Sequence, residues 1–318
     1  MVKFKFYSLN FVSQFTNISS IKIESAVIAR ALELYPEKME EILGCFERKG
    51  IIFSDPFPII DNHPMVTFPK IPIKIINHDL MKKRKQITKN VKLDMLKNII
   101  EQYKNNSFVI LDDLQEIIKD DSNDEEDINS FDDEIGVNIY REPISRDNKQ
   151  IFTEVFTKEY VSKGVLTIYE NGSKTGIKVW IGVQIDDECK SMSEIIDTTL
   201  FLLSDLGISG RKSIGKGHFS LENYSIDDKF GFEGKGYYYL LSRFIPETNE
   251  IQNIDFEKSM YSFDIFSGIG QNGKPLGIYR YIVPGSILYL KENVKGKCIK
   301  LDKYYRLIPF SGFFRKVG

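Results

Sequence analysis

The chain has 318 residues, of which 42% are hydrophobic and 13% aromatic, nearly all of the latter Phe and Tyr. That is enough for about two globular domains with real cores, and it suits a sheet-rich structure. The chain has no run of about 18 apolar residues, and its start, MVKFKFYSLN, lacks the apolar stretch of a signal peptide, so no membrane span or leader is expected. Cys45, Cys189 and Cys298 are odd in number, far apart and in no C-x-x-C pair. We therefore expect reduced thiols in a cytoplasmic protein, and no zinc site.

The net charge of −2 hides two blocks of opposite sign. Leu111 to Glu134 holds twelve acidic residues and one lysine, and the rest of the chain carries 42 basic and 33 acidic residues. Just upstream, Met81 to Lys92 (MKKRKQITKNVK) has six basic residues and no acid. Because local fields steer partners, this basic run predicts either a nucleic-acid surface, with Lys83 and Arg84 as contacts, or a solvated helix beside a disordered acidic loop.

The first elements in chain order are a strand and two helices. Lys3 to Leu9 alternates polar and apolar residues, which is typical of a half-buried strand. Helical spacing predicts a helix over Ile21 to Leu34 and a second one that Pro36 opens and Gly50 ends. Ile51 to Ile60 is apolar, but its prolines favour an edge strand or a loop. The residues expected on the buried helix faces are Ile23, Val27, Ile28, Ala31 and Leu34 in the first helix and Met39, Ile42, Leu43 and Phe46 in the second.

After the charged blocks the pattern predicts a hairpin, a long helix and then strands. Val165 to Tyr169 and Ile177 to Ile185 are expected to pair around the turn signal Asn171-Gly172. Ser191 to Leu206 is expected to be a helix that begins with the capping box SMSE and ends at Gly207. This order of elements predicts an α+β protein with antiparallel sheets. The strands expected downstream are Gly217 to Ile226, Gly236 to Phe244, Ser259 to Phe266, Tyr279 to Val283, Ser286 to Leu290 and Lys297 to Leu301.

The stretch GISGRKSIGKGHF, between that helix and the next strand, carries the main candidate site. Gly210, Gly215 and Lys216 match the G-x-x-x-x-G-K opening of a P-loop, but a P-loop precedes a helix and has Ser or Thr where Gly217 stands. An ATP-hydrolysing site is therefore not expected, since the end of a helix repels phosphate. Glycines and cations can instead present backbone N–H groups and positive charge to the phosphates of an extended RNA strand. A plain helix-to-strand connection with solvated lysines is the alternative. The candidate RNA-binding residues of this loop are Gly207, Ser209, Gly210, Arg211, Lys212, Ser213, Gly215, Lys216, Gly217 and His218.

This loop, with the helix before it and the strand after it, resembles the glycine-rich loop of the RAMP proteins of CRISPR systems. Ile52 to Pro58 (IFSDPFP), Phe68 to Ile71 (FPKI) and the lysine-rich run resemble, in order, segments of the type III-A Csm-complex subunit that caps the crRNA 5′ end. Asn138 to Ile144 (NIYREPI) resembles the N-x-[IV]-x-R-x-[TS]-G stretch of that family. Arg141 is the matched arginine, whereas Pro143-Ile144 stands where Thr-Gly is usual. The resemblance covers about the first two-thirds of the chain.

The resemblance implies two ferredoxin-like (RRM-like) domains, residues 1–228 and 229–318, with antiparallel sheets and a long insertion at about 62–130 in the first. It implies a non-catalytic, cytoplasmic subunit that holds the repeat-derived 5′ handle of crRNA in antiviral defence. Its implied protein partners are the large polymerase-like palm-domain subunit and the backbone RAMP subunit, which it bridges. No cofactor, metal or membrane is implied.

Two other functions stay open on the residues alone. One is a RAMP-type endoribonuclease that processes precursor crRNA with His218 or Tyr224 at its site. Metal-independent cleavage usually needs a positioned acid and base, and the sequence does not pair His63 or His78 with His218. The other is an interaction protein whose basic run binds an acidic partner.

Overall fold

The structure is a computed structural model that describes residues 2–11, 18–60, 62–67, 69–70, 108–112, 114, 168–170, 173–175, 177–208, 217–226, 230–267, 277–301 and 306–317. The described α-helices are α1 Ser20–Leu34, α2 Met39–Glu47 and α3 Met192–Leu206. The described strands are β1 Lys3–Phe11, β2 Ile51–Phe53, β3 Phe57–Ile60, β4 His63–Thr67, β5 Phe108–Ile110, β6 Ile168–Glu170, β7 Ser173–Thr175, β8 Ile177–Ile185, β9 Phe219–Tyr224, β10 Gly236–Leu240, β11 Ile254–Met260, β12 Phe263–Phe266, β13 Tyr279–Ile282, β14 Ile287–Leu290, β15 Gly296–Leu301, β16 Arg306–Ser311 and β17 Phe314–Lys316. The expected mixture of helices with antiparallel sheets is confirmed.

The larger sheet belongs to the first part of the chain. Its strand order is β5-β4-β3-β8-β1-β9, with β2 also paired to β8, and these pairings are antiparallel. Helix α1 follows β1, and α3 connects β8 to β9. The elements nearest the sheet centre therefore run strand, helix, strand, strand, helix, strand, with β1 and β8 in the middle.

Both faces of this sheet are covered, because side chains alternate along each strand. Tyr7 and Leu9 of β1 pack in one core with residues of the three helices. Phe4 and Phe6 of the same strand face the other way and pack against a second core. The strand expected at Lys3 to Leu9 thus has buried side chains on its helix side and half-buried aromatic side chains on the other.

The second core lies between the larger sheet and a four-stranded sheet of order β11-β14-β10-β17. Trp180 and Phe57 contribute from the first sheet, and Tyr239 and Ile287 from the second. A backbone hydrogen bond of 2.7 Å from the N–H of Asp55 to the carbonyl of Leu241 also joins the two parts of the chain. The two sheets form a sandwich, and the helices cover its outer side.

The predicted helices are present, with two corrections at their ends. Leu34 was expected on the buried face of α1 but is 40% exposed. The capping box at α3 is wrong, because Ser191 has helical backbone angles (φ −58°, ψ −24°) and its hydroxyl bonds Glu41 at 2.8 Å. A 3₁₀ turn over Asp187–Cys189 runs directly into α3, so the N–H of Ser193 bonds the carbonyl of Lys190 and the first turn does not depend on a side-chain cap.

Two predictions about strands differ from the structure, one in the position of a strand in the sheet and one in the partner of a hairpin strand. Residues 51–59 are all buried, and β3 lies between β4 and β8 rather than at an edge. The hairpin around Asn171-Gly172 is confirmed, since Glu170 of β6 pairs with Ser173 of β7. Its second strand is β7 rather than Ile177 to Ile185, which as β8 pairs with β1, β2 and β3.

The structure corrects the expectation for the cysteines. Cys45 at the end of α2 and Cys189 before α3 form a disulfide, with Cα atoms 5.8 Å apart, and Cys298 is free. Pairing of Ile51 with Ile185 brings these two chain segments together although they are 144 residues apart. Sequence spacing could not show this proximity, because it depends on the sheet register.

The ends of the expected insertion at 62–130 enter the core. Val66, Leu111 and Leu114 are fully buried in the core between the two sheets. The charge blocks and prolines of this segment predict that it supplies no buried face, and this prediction is wrong for these three residues. The sequence also predicts a short helix at Asp94 to Tyr103 and regular structure at Gln150 to Tyr160. Both ranges, with most of the acidic block, lie outside the described residues.

Candidate nucleic-acid interface

Two glycines with left-handed backbone angles frame the glycine-rich loop. Gly207 has φ +79°, and its N–H bonds the carbonyl of Leu203 at 2.8 Å, which ends α3. Gly217 has φ +84°, and its carbonyl accepts the N–H of Ile208 at 3.2 Å. The Ile208–Gly217 bond joins the described chain on the two sides of the loop, and we call this pairing the stem.

The stem is anchored in the helix-side core at one end of the larger sheet. Ile208, Phe219 and Phe11 are each less than 5% exposed, and the rings of Phe11 and Phe219 lie 5.4 Å apart. Phe11 and Phe219 are also register partners in β1 and β9. The loop is therefore attached to a packed sheet end, where chain segments can be positioned for a ligand.

The predicted loop residues are only partly described. Gly207, Gly217 and the half-buried His218 are brought together at the stem. The remaining predicted RNA contacts lie outside the described residues: Ser209, Gly210, Arg211, Lys212, Ser213, Gly215, Lys216, Arg141, Lys83 and Arg84. The structure thus describes the two glycines that frame the candidate site.

The flat face of the larger sheet is not available to RNA. RRM domains stack bases on aromatic side chains of an exposed sheet face. Here Trp180, Phe57 and Phe53 are each no more than 2% exposed, because helices cover one face and the second sheet covers the other. A nucleic acid on this fold would have to use loops, edges and sheet ends.

The residues named for an endoribonuclease do not converge. His218 precedes β9 and Tyr224 ends it, so they are separated by roughly 20 Å of strand. The Tyr224 hydroxyl donates to the carbonyl of Asn62 at 3.1 Å, and burial, followed by the charge of Asp112, raises its pKa. The exposed His63 is the neighbour of Asn62 and so lies at the far end of β9 from His218.

A second surface combines lysines with aromatic rings, and the sequence analysis did not single it out. Tyr237 of β10 and Tyr289 of β14 are register partners with ring centroids 4.9 Å apart. The ammonium groups of Lys235 and Lys258 lie 5.8 and 5.2 Å from the Tyr289 ring. Both tyrosines are half-buried and both lysines exposed. The stretch GKGYYYL offered the signal, since a lysine lies close before three consecutive tyrosines.

A cavity of about 430 Å³ between the two parts of the chain is less suited to RNA. Its cations already have acidic partners, Arg48 with Glu188 at 3.6 Å and Lys295 with Asp186. Its lining includes Phe4, Phe230, Phe314, Asp187 and Glu188. Because the cations of this lining are already paired with carboxylates, it attracts phosphate less than the cationic glycine loop does, and the loop remains the better candidate.

The described part of the chain was compared with the requirements of a metal site and of a membrane-spanning helix. Within it, no group of three His, Cys, Asp or Glu side chains could hold a metal ion. No described helix has both the length and the apolar character that a membrane crossing requires.

Comparisons with known proteins identify the fold. No protein-family model matches the chain, and no curated protein matches it. A chain of the Csm3–Csm4 subcomplex in the type III-A CRISPR-Cas interference complex aligns over 99% of both chains, with 15% identity and a TM-score of 0.51. The chain therefore has the fold of a subunit found in these type III-A assemblies. A chain of the Csm1–Csm4 cassette in complex with cA3 aligns over 99% of this chain and 98% of that one, with 11% identity and a TM-score of 0.51. A chain of the cassette in complex with AMPPNP aligns with 10% identity and a TM-score of 0.51.

Proposed function

We propose that the chain is the subunit of a type III-A CRISPR interference complex that binds the 5′ handle of crRNA without cutting it. The observation that carries the proposal is the stem of Gly207 and Gly217, which presents a cationic glycine-rich loop at the end of a sheet in this fold. The loop's composition suits phosphate contacts that need no metal and no bond cleavage.

The proposal includes two protein partners and a cytoplasmic location. The solved structures of this fold contain Csm3 with Csm4 and Csm1 with Csm4. These pairs support a bridge between the large palm-domain subunit and the backbone RAMP subunit. No cofactor enters the proposed role, which is binding and positioning.

We assign the two parts of the chain to two ferredoxin-like domains, residues 1–228 and 229–318, with an insertion at about 62–130. The strand and helix order around β1, α1, β8, α3 and β9 supports the first assignment, because a ferredoxin-like domain alternates its elements in this way. The described residues from 230 onward contain strands and one 3₁₀ turn but no α-helix, so the second assignment depends on the resemblance.

In the proposed complex the loop holds the RNA backbone. Exposed N–H groups of the loop and the side chains of Arg211, Lys212 and Lys216 contact phosphates, and Arg141 with the Lys83–Arg84 pair adds positive charge along the path. The tyrosine pair in β10 and β14 is a place where an unpaired base of the same RNA could stack, because single-stranded sites combine cations with aromatic rings.

A salt titration tests the phosphate contacts. Replacing Arg211, Lys212 and Lys216 together by alanine should lower the slope of log K against log salt by about two, since each phosphate contact on a single strand contributes about 0.7. Preference for the handle over a scrambled RNA should survive, because base edges are read elsewhere. A matched control replaces three exposed lysines, Lys190, Lys291 and Lys297, and should keep the wild-type slope. An unchanged slope in the loop variant would contradict the loop's role.

Endoribonuclease activity is tested by incubating repeat RNA with the purified chain. We expect intact RNA, because His218 and Tyr224 lie at opposite ends of β9. Specific cleavage that disappears in His218→Ala would overturn the non-catalytic assignment.

A further inference from the structure

The hairpin of β12 and β13 has one face that the rest of the described chain covers only at Ile282, which is buried. Phe263 and Ile265 of β12 are 53% and 56% exposed, and Ile278, just before β13, is 77% exposed. The strand register pairs Phe263 with Ile282 and Ile265 with Arg280, so these side chains share one face. We call Phe263, Ile265, Ile278 and Arg280 the hairpin patch.

The opposite face of the hairpin explains why this face is free. Tyr279, Tyr281 and Phe266 point the other way and pack against Phe310, with ring centroids 5.7 to 5.9 Å apart. Those contacts hold the hairpin against the rest of the protein and bury its inner face. The outer apolar residues therefore contribute little to folding, although exposing them to water is unfavourable.

An aromatic ladder extends the patch toward the molecule. Phe263 makes an edge contact with Tyr261 at 5.3 Å, and Tyr261 makes another with Phe256 at 5.4 Å. Phe256 and Tyr261 are half-buried. Phe263 of the patch is therefore held in place by half-buried aromatic rings, as anchor residues at protein interfaces usually are.

Arg280 determines which kind of partner fits. It is exposed, lies among three apolar side chains and makes no ion pair with any described residue. A partner with apolar side chains around a carboxylate would complement it. RNA fits less well, because isoleucines offer no stacking surface and a single cation engages few phosphates.

A second copy of the chain also fits less well. In a symmetric dimer the same patch would face itself, so two Arg280 guanidinium groups would approach one another. Like charges brought together in a desolvated interface are unfavourable.

We propose that the hairpin patch docks a protein subunit of the complex that presents apolar side chains around a carboxylate. The partner's identity as a complex subunit depends on the function proposed above. The patch itself is a separate surface from the glycine loop, which is the proposed RNA site.

The test measures affinity of the full chain for the purified large subunit and the purified backbone subunit of the same type III-A system. The variant Phe263→Glu/Ile265→Glu should bind one of them at least about tenfold more weakly. Phe201→Glu is the matched control, because Phe201 is 65% exposed on α3, and it should bind both subunits as wild type does. Arg280→Glu should weaken binding more than Arg280→Gln, with the difference shrinking at high salt.

Several results would overturn the proposal. One is wild-type affinity of the double variant for both subunits, and another is equal loss in Phe201→Glu. Loss of handle-RNA affinity in the double variant would assign the patch to RNA, and a wild-type dimer that the double variant converts to a monomer would assign it to a second copy. If the wild-type chain binds neither subunit, the proposed function fails together with this inference; if it binds and the double variant binds equally well, only the inference fails.

Discussion

Gly207 and Gly217 supply the backbone angles on which the candidate loop depends. Both have positive φ, a conformation that side chains with a Cβ rarely adopt. Composition predicted a glycine-rich loop, but it could not say which glycines are needed for their angles. The structure identifies the two at the stem.

Gly217→Ala tests this assignment at the level of one residue. Forcing alanine into the left-handed region costs about 1–2 kcal/mol of stability, and a distorted stem should also weaken binding of handle RNA. Gly234→Ala is the control, because Gly234 has φ +87° with no atom within 4 Å of an added Cβ. Both variants should lose similar stability in denaturant melts, and only Gly217→Ala should lose RNA affinity. Equal RNA affinities in the two folded variants would show that the stem angle does not matter for binding.

Glu24 is a fully buried acid beneath the sheet. Its Oε1 accepts the N–H of Phe53 at 2.9 Å, and its Oε2 has no hydrogen-bond partner among the described residues. Burial raises the pKa of Glu24 well above its usual value; the Phe53 N–H opposes this, and the charge of Asp55 adds to it. The folded protein therefore keeps a proton on Glu24 at pH values where the unfolded chain has lost it.

This predicts how stability changes with pH. Because the folded pKa lies above the unfolded one, the free energy of unfolding should fall as pH rises from the unfolded pKa to the folded pKa, by about 1.4 kcal/mol per unit of difference. Glu24→Gln should remove that fall, so the variant should match wild type near pH 5 and exceed it at pH 8. Urea unfolding from pH 5 to 8 measures both curves. Parallel curves with a less stable variant would mean that Glu24 is ionised and paired in the folded protein.

Among the elements, the described residues of the expected insertion contribute to the core between the two sheets. Leu111 and Leu114 are fully buried and lie in the same core cluster as Val66 of β4. The sequence could not predict that these leucines are buried, because two leucines beside an acidic block do not form a periodic pattern.

Two deletions separate the ends from the middle. Removing Leu111 to Glu134 should strongly destabilise the chain, since losing a buried leucine side chain costs about 2–5 kcal/mol. Removing residues 116–134 keeps both leucines and should leave a folded protein. Solubility and thermal melting compare the two. Similar melting temperatures for both deletions would mean that the leucines contribute little.

The tyrosine pair of β10 and β14 can be tested in the same way. Tyr289→Ala should weaken binding of single-stranded handle RNA by about 1–3 kcal/mol if a base stacks there. Tyr289→Phe keeps the ring and the two nearby lysines, so it should bind as wild type does. Equal affinity of the alanine and phenylalanine variants would exclude stacking on this ring.

At the scale of the whole molecule, a polar network links the two sheets. Asp55 accepts the N–H of Ser20 at the start of α1 at 2.7 Å and pairs with Arg243 at 3.4 Å. Arg243 also donates to the Tyr281 hydroxyl at 2.9 Å, which in turn donates to Asp264 at 2.8 Å. The network joins the first helix to the hairpin that carries the proposed docking patch.

A double-mutant cycle measures that link. Asp55→Asn and Arg243→Met should each destabilise the protein, because each leaves a largely buried partner without its counter-charge. The double variant should lose less than the sum, with a coupling of about 0.5–3 kcal/mol. Asp55→Asn retains an oxygen for Ser20, so the coupling reports the ion pair. Additive losses would mean that the Asp55–Arg243 ion pair contributes no coupling between the two parts of the chain.

Local patterns in the sequence determined the elements that depend on neighbouring residues. The spacing of Ile23, Val27 and Ile28 predicted α1, the apolar run ending at Gly207 predicted α3, and Asn171-Gly172 predicted a hairpin turn, because helix periodicity and turn chemistry act over a few residues. The order of short motifs also led to the RAMP resemblance, with which the fold agrees.

Only the tertiary structure decided which faces are covered and which distant residues meet. The second sheet packs over Phe4 and Phe6 and thereby covers the sheet face that RNA would need. The register of β2 with β8 brings Cys45 to Cys189. Such contacts join residues far apart in the chain, so no local periodicity encodes them. The placement of β3 inside the sheet and the exposed face of the β12–β13 hairpin follow from the same cause, since an apolar side chain is buried or exposed according to what packs over it.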